Sequence, residues 1–263
     1  MKYHIPRQFY LLALIGTGAI LRLVGSSYGL PFPLVSDEEV LIGGAFKMLE
    51  LRSLLPILEG DNMNILYYPP ALSYIYILCI TPVIIWSFLS NTFLSIDRIE
   101  LLVLENIGIT WFFARLTSVL FSTATIYITY RIGRSLTKSY IAGLASGAFL
   151  SIDFMHTMLG HVARHWSATV LLIWLAAWVS LCYFYKPTIT KALAIGIFSS
   201  LGFGTSYIGI FGIVFGLSSH ILLSYNGRIS ILGKEARVMA IALIVGCAFF
   251  TTVHPFPIIR LLK

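Results

Sequence analysis

Residues 107–130 read IGITWFFARLTSVLFSTATIYITY, and Arg131, Arg134 and Lys138 follow them. No acid interrupts this run, and a single cation, Arg115, does. The stretch lacks the strict apolar–polar alternation of a barrel strand, and it exceeds the roughly 20 residues that a perpendicular span needs. A helix is then the one way to satisfy its backbone in lipid. Similar runs stand on both sides of it, at 9–24, 71–89, 140–152, 168–185, 192–205, 207–223 and 238–253. Several are short, and tilting, local thinning or helical extension into the loops would accommodate them. The composition agrees. Hydrophobic residues make up 58% and charged residues 11%, with mean hydropathy +0.88. Soluble domains hold about 45–50% apolar and about 25% charged residues. The expected fold is all-α, a polytopic transmembrane helix bundle.

The cations orient the bundle. Lys2 and Arg7 precede the first run. Arg131, Arg134 and Lys138 follow 107–130, Lys186 and Lys191 follow 168–185, and Arg228, Lys234 and Arg237 lie between the last two runs. Short loops enriched in Lys and Arg stay in the cytoplasm. This placement accounts for the net charge of +7 and excludes nucleic acid as a partner. The first run, with its cationic flank and Gly25-Ser26-Ser27 behind it, has the form of a signal peptide; among so many later runs it reads as an uncleaved first span.

With these clusters inside, the run 71–89 has both ends outside. It reads as a re-entrant or surface-lying helix within one long outer loop; a true span with an inner loop around Asp97-Arg98 is the alternative. The chain is thus a single transmembrane domain. It comprises a first span (1–25), an outer loop (26–106), further spans (107–253) and the start of an outer segment (254–263). Gly143/Gly147 and Gly212/Gly216 are small-xxx-small pairs expected to let helices approach closely. Cys79, Cys182 and Cys247 all lie in apolar runs without metal-like spacing and read as small hydrophobes.

Inside the outer loop stands Val35-Ser36-Asp37-Glu38-Glu39-Val40, three consecutive acids in a chain with only 11 Asp and Glu. Acids at a membrane surface need water, a partner or a task. One reading is a helix start, with Ser36 or Asp37 capping 40–51 and acids favoured in its first turn. Another is catalysis, since a hydroxyl nucleophile at neutral pH needs a positioned base. Arg115 requires an acid or phosphate partner, or must snorkel to the interface. Tyr67 and Tyr68 suit a sugar ring or an interface belt. His161, Arg164 and His165 fall on a second outer loop. The two histidines would share a face if helical, but a zinc site would need further ligands, so no metal site is assigned.

Asp37-Glu38, Ala45-Phe46-Lys47-Met48-Leu49, Pro56 and Tyr68-Pro69-Pro70-Ala71-Leu72 together resemble the first outer loop of the glycosyltransferase family 39-like membrane enzymes of the GT-C fold. These include protein O-mannosyltransferases and the aminoarabinose transferases of lipid A. Ala114-Arg115-Leu116, His161-Val162-Ala163-Arg164 and Gly202-Phe203-Gly204-Thr205-Ser206-Tyr207 are similar to later segments of that family, in order. Tyr67 and Tyr68 stand where its members often carry Glu, His or Lys. The chain carries fewer spans than that family and reads as a truncated member.

The resemblance implies transfer of a sugar from a polyprenyl-phosphate donor to a lipid, glycan or protein acceptor, at the outer face of a prokaryotic plasma membrane. It implies Asp37 as base and Glu38 as its neighbour in the catalytic motif, positioning the acceptor or Asp37 itself. Tyr67, Tyr68, Arg115, His161, Arg164 and His165 would serve as substrate-binding residues. A divalent cation stays open as an assistant. The rivals are a non-catalytic GT-C-like subunit or fragment and a transporter; a transporter should show paired broken helices in related halves, and the sequence has no such halves.

Overall fold

The computed structural model describes residues 7–54, 68–90 and 107–253. Along the chain come α1 (Arg7–Leu23), α2 (Ser36–Glu50), α3 (Ala71–Ser90), α4 (Ile107–Thr137), α5 (Tyr140–Ile152), α6 (Phe154–Gly160), α7 (His165–Tyr185) and α8 (Ile189–Thr205). A short 3-10 helix (Tyr207–Phe211) then leads into α9 (Gly212–Tyr225), and α10 (Lys234–Val253) ends the described chain. No strand occurs among the described residues. Four helical segments are long and apolar enough to cross a membrane: α4, α7, the 3-10 helix with α9 (Tyr207–Tyr225), and α10.

The run 140–152 does not cross on its own. At 13 residues, α5 reaches about 20 Å. The chain bends by 63° and continues as α6, so that the pair forms one broken helical segment. Asp153 makes the break. Its backbone leaves the helical region, and its carboxylate accepts the His156 N–H at 2.7 Å, starting α6.

α4 is the central post, packed against α1, α3, α5, α6 and α7. Small residues permit the close approaches. A side chain at Gly143 would stand 2.9 Å from the Tyr130 carbonyl, and one at Gly147 2.9 Å from Leu14. Gly212 and Gly216 serve the contacts of α9 with α7, α8 and α10 in the same way, against Ala176, Ile195 and Met239. Packing is therefore the role of both small-xxx-small pairs. The three cysteines are free thiols and only half-buried.

α3 stands against α2 and α4. It is one helix with Pro82 inside it. Ser73 Oγ donates to the Leu41 carbonyl at 3.1 Å, and Cys79 Sγ lies 3.0 Å from Thr117 Oγ1. Thr117 is about 15 Å along α4 from its start. α3 therefore runs beside α4 and does not lie across its end. Residues 91–106, which would have to turn it back, are outside the described residues, as are 55–67.

The contacts sort the chain into two ends. At one, the Arg7 guanidinium stands over the Tyr140 ring, Lys138 Nζ stands 3.9 Å over the Tyr185 ring, and Arg228 donates to the Phe184 and Tyr185 carbonyls. The cationic turns thus share one end. The start of α4, the start of α7, the end of α8 and the whole acid motif share the other, with Thr169 and Thr205 hydroxyls 2.9 Å apart marking the α7–α8 contact there.

Candidate functional site

The acid motif opens α2. Val35, in extended conformation, is the residue before the helix, and no side chain caps it there. Neither Ser36 nor Asp37 is the N-cap; both are already in the helix. The acid three places into the helix acts instead. Glu38 reaches back, and its Oε2 accepts the Leu34 N–H at 2.7 Å. This is a capping-box arrangement drawn one residue further back.

Glu38 is also the partner that Arg115 requires. Both side chains are fully buried. Arg115 Nε donates to Oε1 and Nη2 to Oε2, each at 3.0 Å, the parallel fork that gives such pairs strength and direction. Nη1 donates to the Ser26 and Tyr28 carbonyls at 3.1 and 2.7 Å, and Nη2 to the Phe32 carbonyl at 3.2 Å. Ala163 N–H completes the carboxylate, donating to Oε1 at 2.7 Å. A guanidinium has five N–H groups and a carboxylate about four acceptor positions. All are used here. Arg115 does not snorkel, and it keeps no donor for a phosphate. Glu38 keeps no lone pair for a substrate proton. The pairing of Arg115 with an outer-loop acid is as expected, and the pair holds a positioning role: it ties the loop after α1, the start of α2, α4 and the loop before α7.

That last loop, 161–164, carries the other candidates. α6 ends at Gly160 and α7 begins at His165, so the two histidines are not on one helical face. His161 Nε2 turns to the Leu21 carbonyl at 3.0 Å, donating to the end of α1. His165 is 3% exposed. Its ring lies between Tyr68, at 4.5 Å, and Trp166, at 4.6 Å. Arg164 precedes α7, with its guanidinium 5.9 Å over the Trp166 ring. Partial burial lowers the Arg164 pKa, yet a guanidinium remains cationic at neutral pH. Tyr68 packs onto the core that Leu41, Leu72, Trp111 and Ala163 build.

The structure therefore brings Glu38, Arg115, Arg164, His165 and Tyr68 together at the end opposite the cationic turns, and it sends His161 towards α1. Asp37 lies in the first turn of α2, next to the clamped Glu38; its side chain is outside the described part of the structure. Tyr67 is outside the described residues too. Among the described residues, no group of three or more His, Cys, Asp or Glu is arranged to hold a metal ion.

A second buried guanidinium was not singled out from sequence. Arg22, in the last turn of α1, is fully buried. Its Nε donates to Ser122 Oγ at 2.6 Å, Nη1 to the Gly18 and Ser151 carbonyls at 2.9 and 3.1 Å, and Nη2 to the Leu150 carbonyl at 3.1 Å. His156 Nδ1 stands 2.7 Å from Nη2. Since a guanidinium only donates, Nδ1 accepts and the ring proton of a neutral His156 sits on Nε2. The signal for Arg22 was the one that marked Arg115, a cation within an apolar run.

No known family model, curated protein or solved structure matches the chain.

Proposed function

We propose that this chain is a GT-C-like membrane glycosyltransferase, taking a sugar from a polyprenyl-phosphate donor. One observation carries the reading: the Glu38–Arg115–Ala163 node fastens the acid motif to the 161–164 loop, at the end away from the cationic turns. Asp37 and Arg164 each adjoin a residue of that node in the chain. By the positive-inside rule the cationic end is cytosolic, and this end faces outward.

The chemistry follows from the residue types. The Asp37 carboxylate takes the proton of an acceptor hydroxyl. The freed oxygen attacks the anomeric carbon, the carbon–oxygen bond to the phosphate breaks, and the polyprenyl phosphate leaves with the electron pair. That leaving group is already acidic, so it needs no proton donor, and one carboxylate suffices where many glycoside hydrolases use two. It needs positive charge, which Arg164 supplies. Tyr68 and Trp166, both half-buried, offer ring faces and polar edges to the sugar, and the buried His165 packs against both rings.

The saturation of Glu38 and Arg115 favours one rival, a non-catalytic GT-C-like subunit, because a purely structural node would look the same. Asp37→Asn separates the two. Turnover of a polyprenyl-phosphate sugar should fall by roughly two to four orders of magnitude while membrane insertion is unchanged. An Asp37→Asn protein that inserts and retains full transfer refutes the enzyme reading. Wild-type protein that transfers no sugar from any polyprenyl-phosphate donor leaves the subunit reading standing.

A further inference from the structure

The cationic end is a fixed array. Tyr185, closing α7, links three turns. Its hydroxyl donates to the Ser135 carbonyl at 3.3 Å, its ring lies 3.9 Å under Lys138 Nζ, and its carbonyl accepts Arg228 Nη2 at 3.2 Å. Arg228 also donates to the Phe184 carbonyl, so the α9–α10 turn is bound to the end of α7. Lys191 Nζ closes the α7–α8 turn on the Cys182 and Lys186 carbonyls at 2.9 and 2.7 Å. Lys138 over the Tyr185 ring and Arg228 on the Tyr185 carbonyl are thereby held at one place, Lys186 follows Tyr185 in the chain, and all three are exposed. The Lys186 ammonium makes no hydrogen bond, ion pair or ring contact with another described residue. Orientation by positive charge requires cations on this side but not a pre-organised group of them.

The surroundings say which anion fits. Within a few residues of Lys138 and Arg228 in the chain stand exposed apolar side chains: Leu136 at 60%, Ile141 at 76% and Leu222 at 51% exposure, with Tyr225 at 88%. A soluble anion would gain nothing from that wall. A lipid would place its acyl chains against it and its phosphate among the cations, with the tyrosines at the boundary between them. We infer that the cationic turns around Tyr185 form a binding site for the headgroup phosphate of an anionic phospholipid. Recognition rests on Lys138, Lys186 and Arg228, and it is independent of the transfer reaction proposed for the opposite end.

The test uses the full chain in nanodiscs of mixed phosphatidylglycerol and phosphatidylcholine, whose two leaflets are alike, so that insertion direction does not matter. Native mass spectrometry of the released protein reads the lipid retained. Wild type should keep phosphatidylglycerol in preference, and the preference should fall about five-fold for each cation neutralised near the surface. Lys186→Gln removes a side chain that the fold does not use, and Lys138→Gln with Lys186→Gln should abolish most of the selectivity. Raising salt should weaken it in wild type. Equal retention of both lipids by wild type, or unchanged selectivity in the double variant, overturns the site. Displacement of phosphatidylglycerol by millimolar inorganic phosphate identifies a simple anion site and overturns the lipid assignment.

Discussion

Arg115 and Arg22 are both fully buried beside α4, and each uses all five of its N–H groups. Their partners differ. Arg115 meets a carboxylate head-on and adds three loop carbonyls, so the node is close to neutral. Arg22 meets no carboxylate directly. It is held by a hydroxyl, a neutral imidazole nitrogen and three carbonyls, two of which end α5. The C-terminal end of a helix carries partial negative charge, and those carbonyls would otherwise be orphans. One cation closes a charge pair; the other closes a helix end. The first joins segments distant in sequence around the acid motif, and the second bonds α1 to the corner where the broken α5–α6 segment bends.

Removing Arg115 should do the greater damage. Arg115→Met leaves the Glu38 carboxylate buried with only two amide donors, and breaking a buried pair from one side costs about 3–5 kcal/mol. Glu38→Leu should cost a similar amount, by stranding the guanidinium. The double variant Glu38→Leu/Arg115→Met should recover much of the loss, because a well-packed apolar replacement is often neutral. Thermal or denaturant unfolding of the purified variants in detergent measures all three. A single variant that unfolds like wild type would mean that the two residues are not a charge pair in the folded protein.

Arg22→Met should cost less, about 1–3 kcal/mol, since it takes the Arg22 donor from the Leu150 carbonyl and leaves the Ser151 carbonyl and the Ser122 hydroxyl with only their long bonds to Thr157 and His156, but strands no opposite charge. Arg22→Lys should recover only part of this, having three donors where five are used. The same unfolding measurement applies. If Arg22→Met proves as costly as Arg115→Met, Arg22 answers a negative charge after all, and the contrast between the two nodes fails.

The two nodes also show how far the sequence could be read. The runs were legible because lipid demands them, and the long ones became helices, most of them within a few residues of the expected ends, although 107–130 runs on to Thr137. Tyr140–Ile152 needed α6 to complete it, since a break made by one aspartate leaves no trace in a hydropathy profile. Arg115 was legible as a cation in need of an acid, and the acid was in the expected loop. Which acid, and that it would be saturated, was not legible, because the Ala163 amide that completes Glu38 arrives from 125 residues away. His161 and His165 look like helical neighbours in sequence; the chain leaves the helix between them and points them apart. Arg22 carried the same signal as Arg115 but sits where a first span is expected to end, and a cation there reads as a flank. Charge placement put the motif at the end away from the cationic turns; the proposed transfer reaction rests on Asp37, and the Asn variant tests it.

Ser122 offers the finest test of the Arg22 node. It stands on α4, seven residues after Arg115, and accepts from Arg22 Nε at 2.6 Å. Ser122→Ala removes one bond of five and should cost about 1 kcal/mol, within the range found for single hydrogen bonds between membrane helices. Gly160 shows how tightly that bond is enclosed: a Cβ there would lie 3.0 Å from Ser122 Oγ and 3.3 Å from Arg22 Cγ. Gly160→Ala should therefore push the hydroxyl and the arginine stem apart and destabilise by itself. In combination with Ser122→Ala the added methyl meets less crowding, because the Oγ is gone, although Ser122 Cβ at 3.2 Å remains. The two losses should then sum to more than the measured loss of the double variant, as residues in contact do. Strict additivity would mean that α6 does not press on the Arg22–Ser122 bond, and that the broken segment is held at its bend by the α5 carbonyls alone.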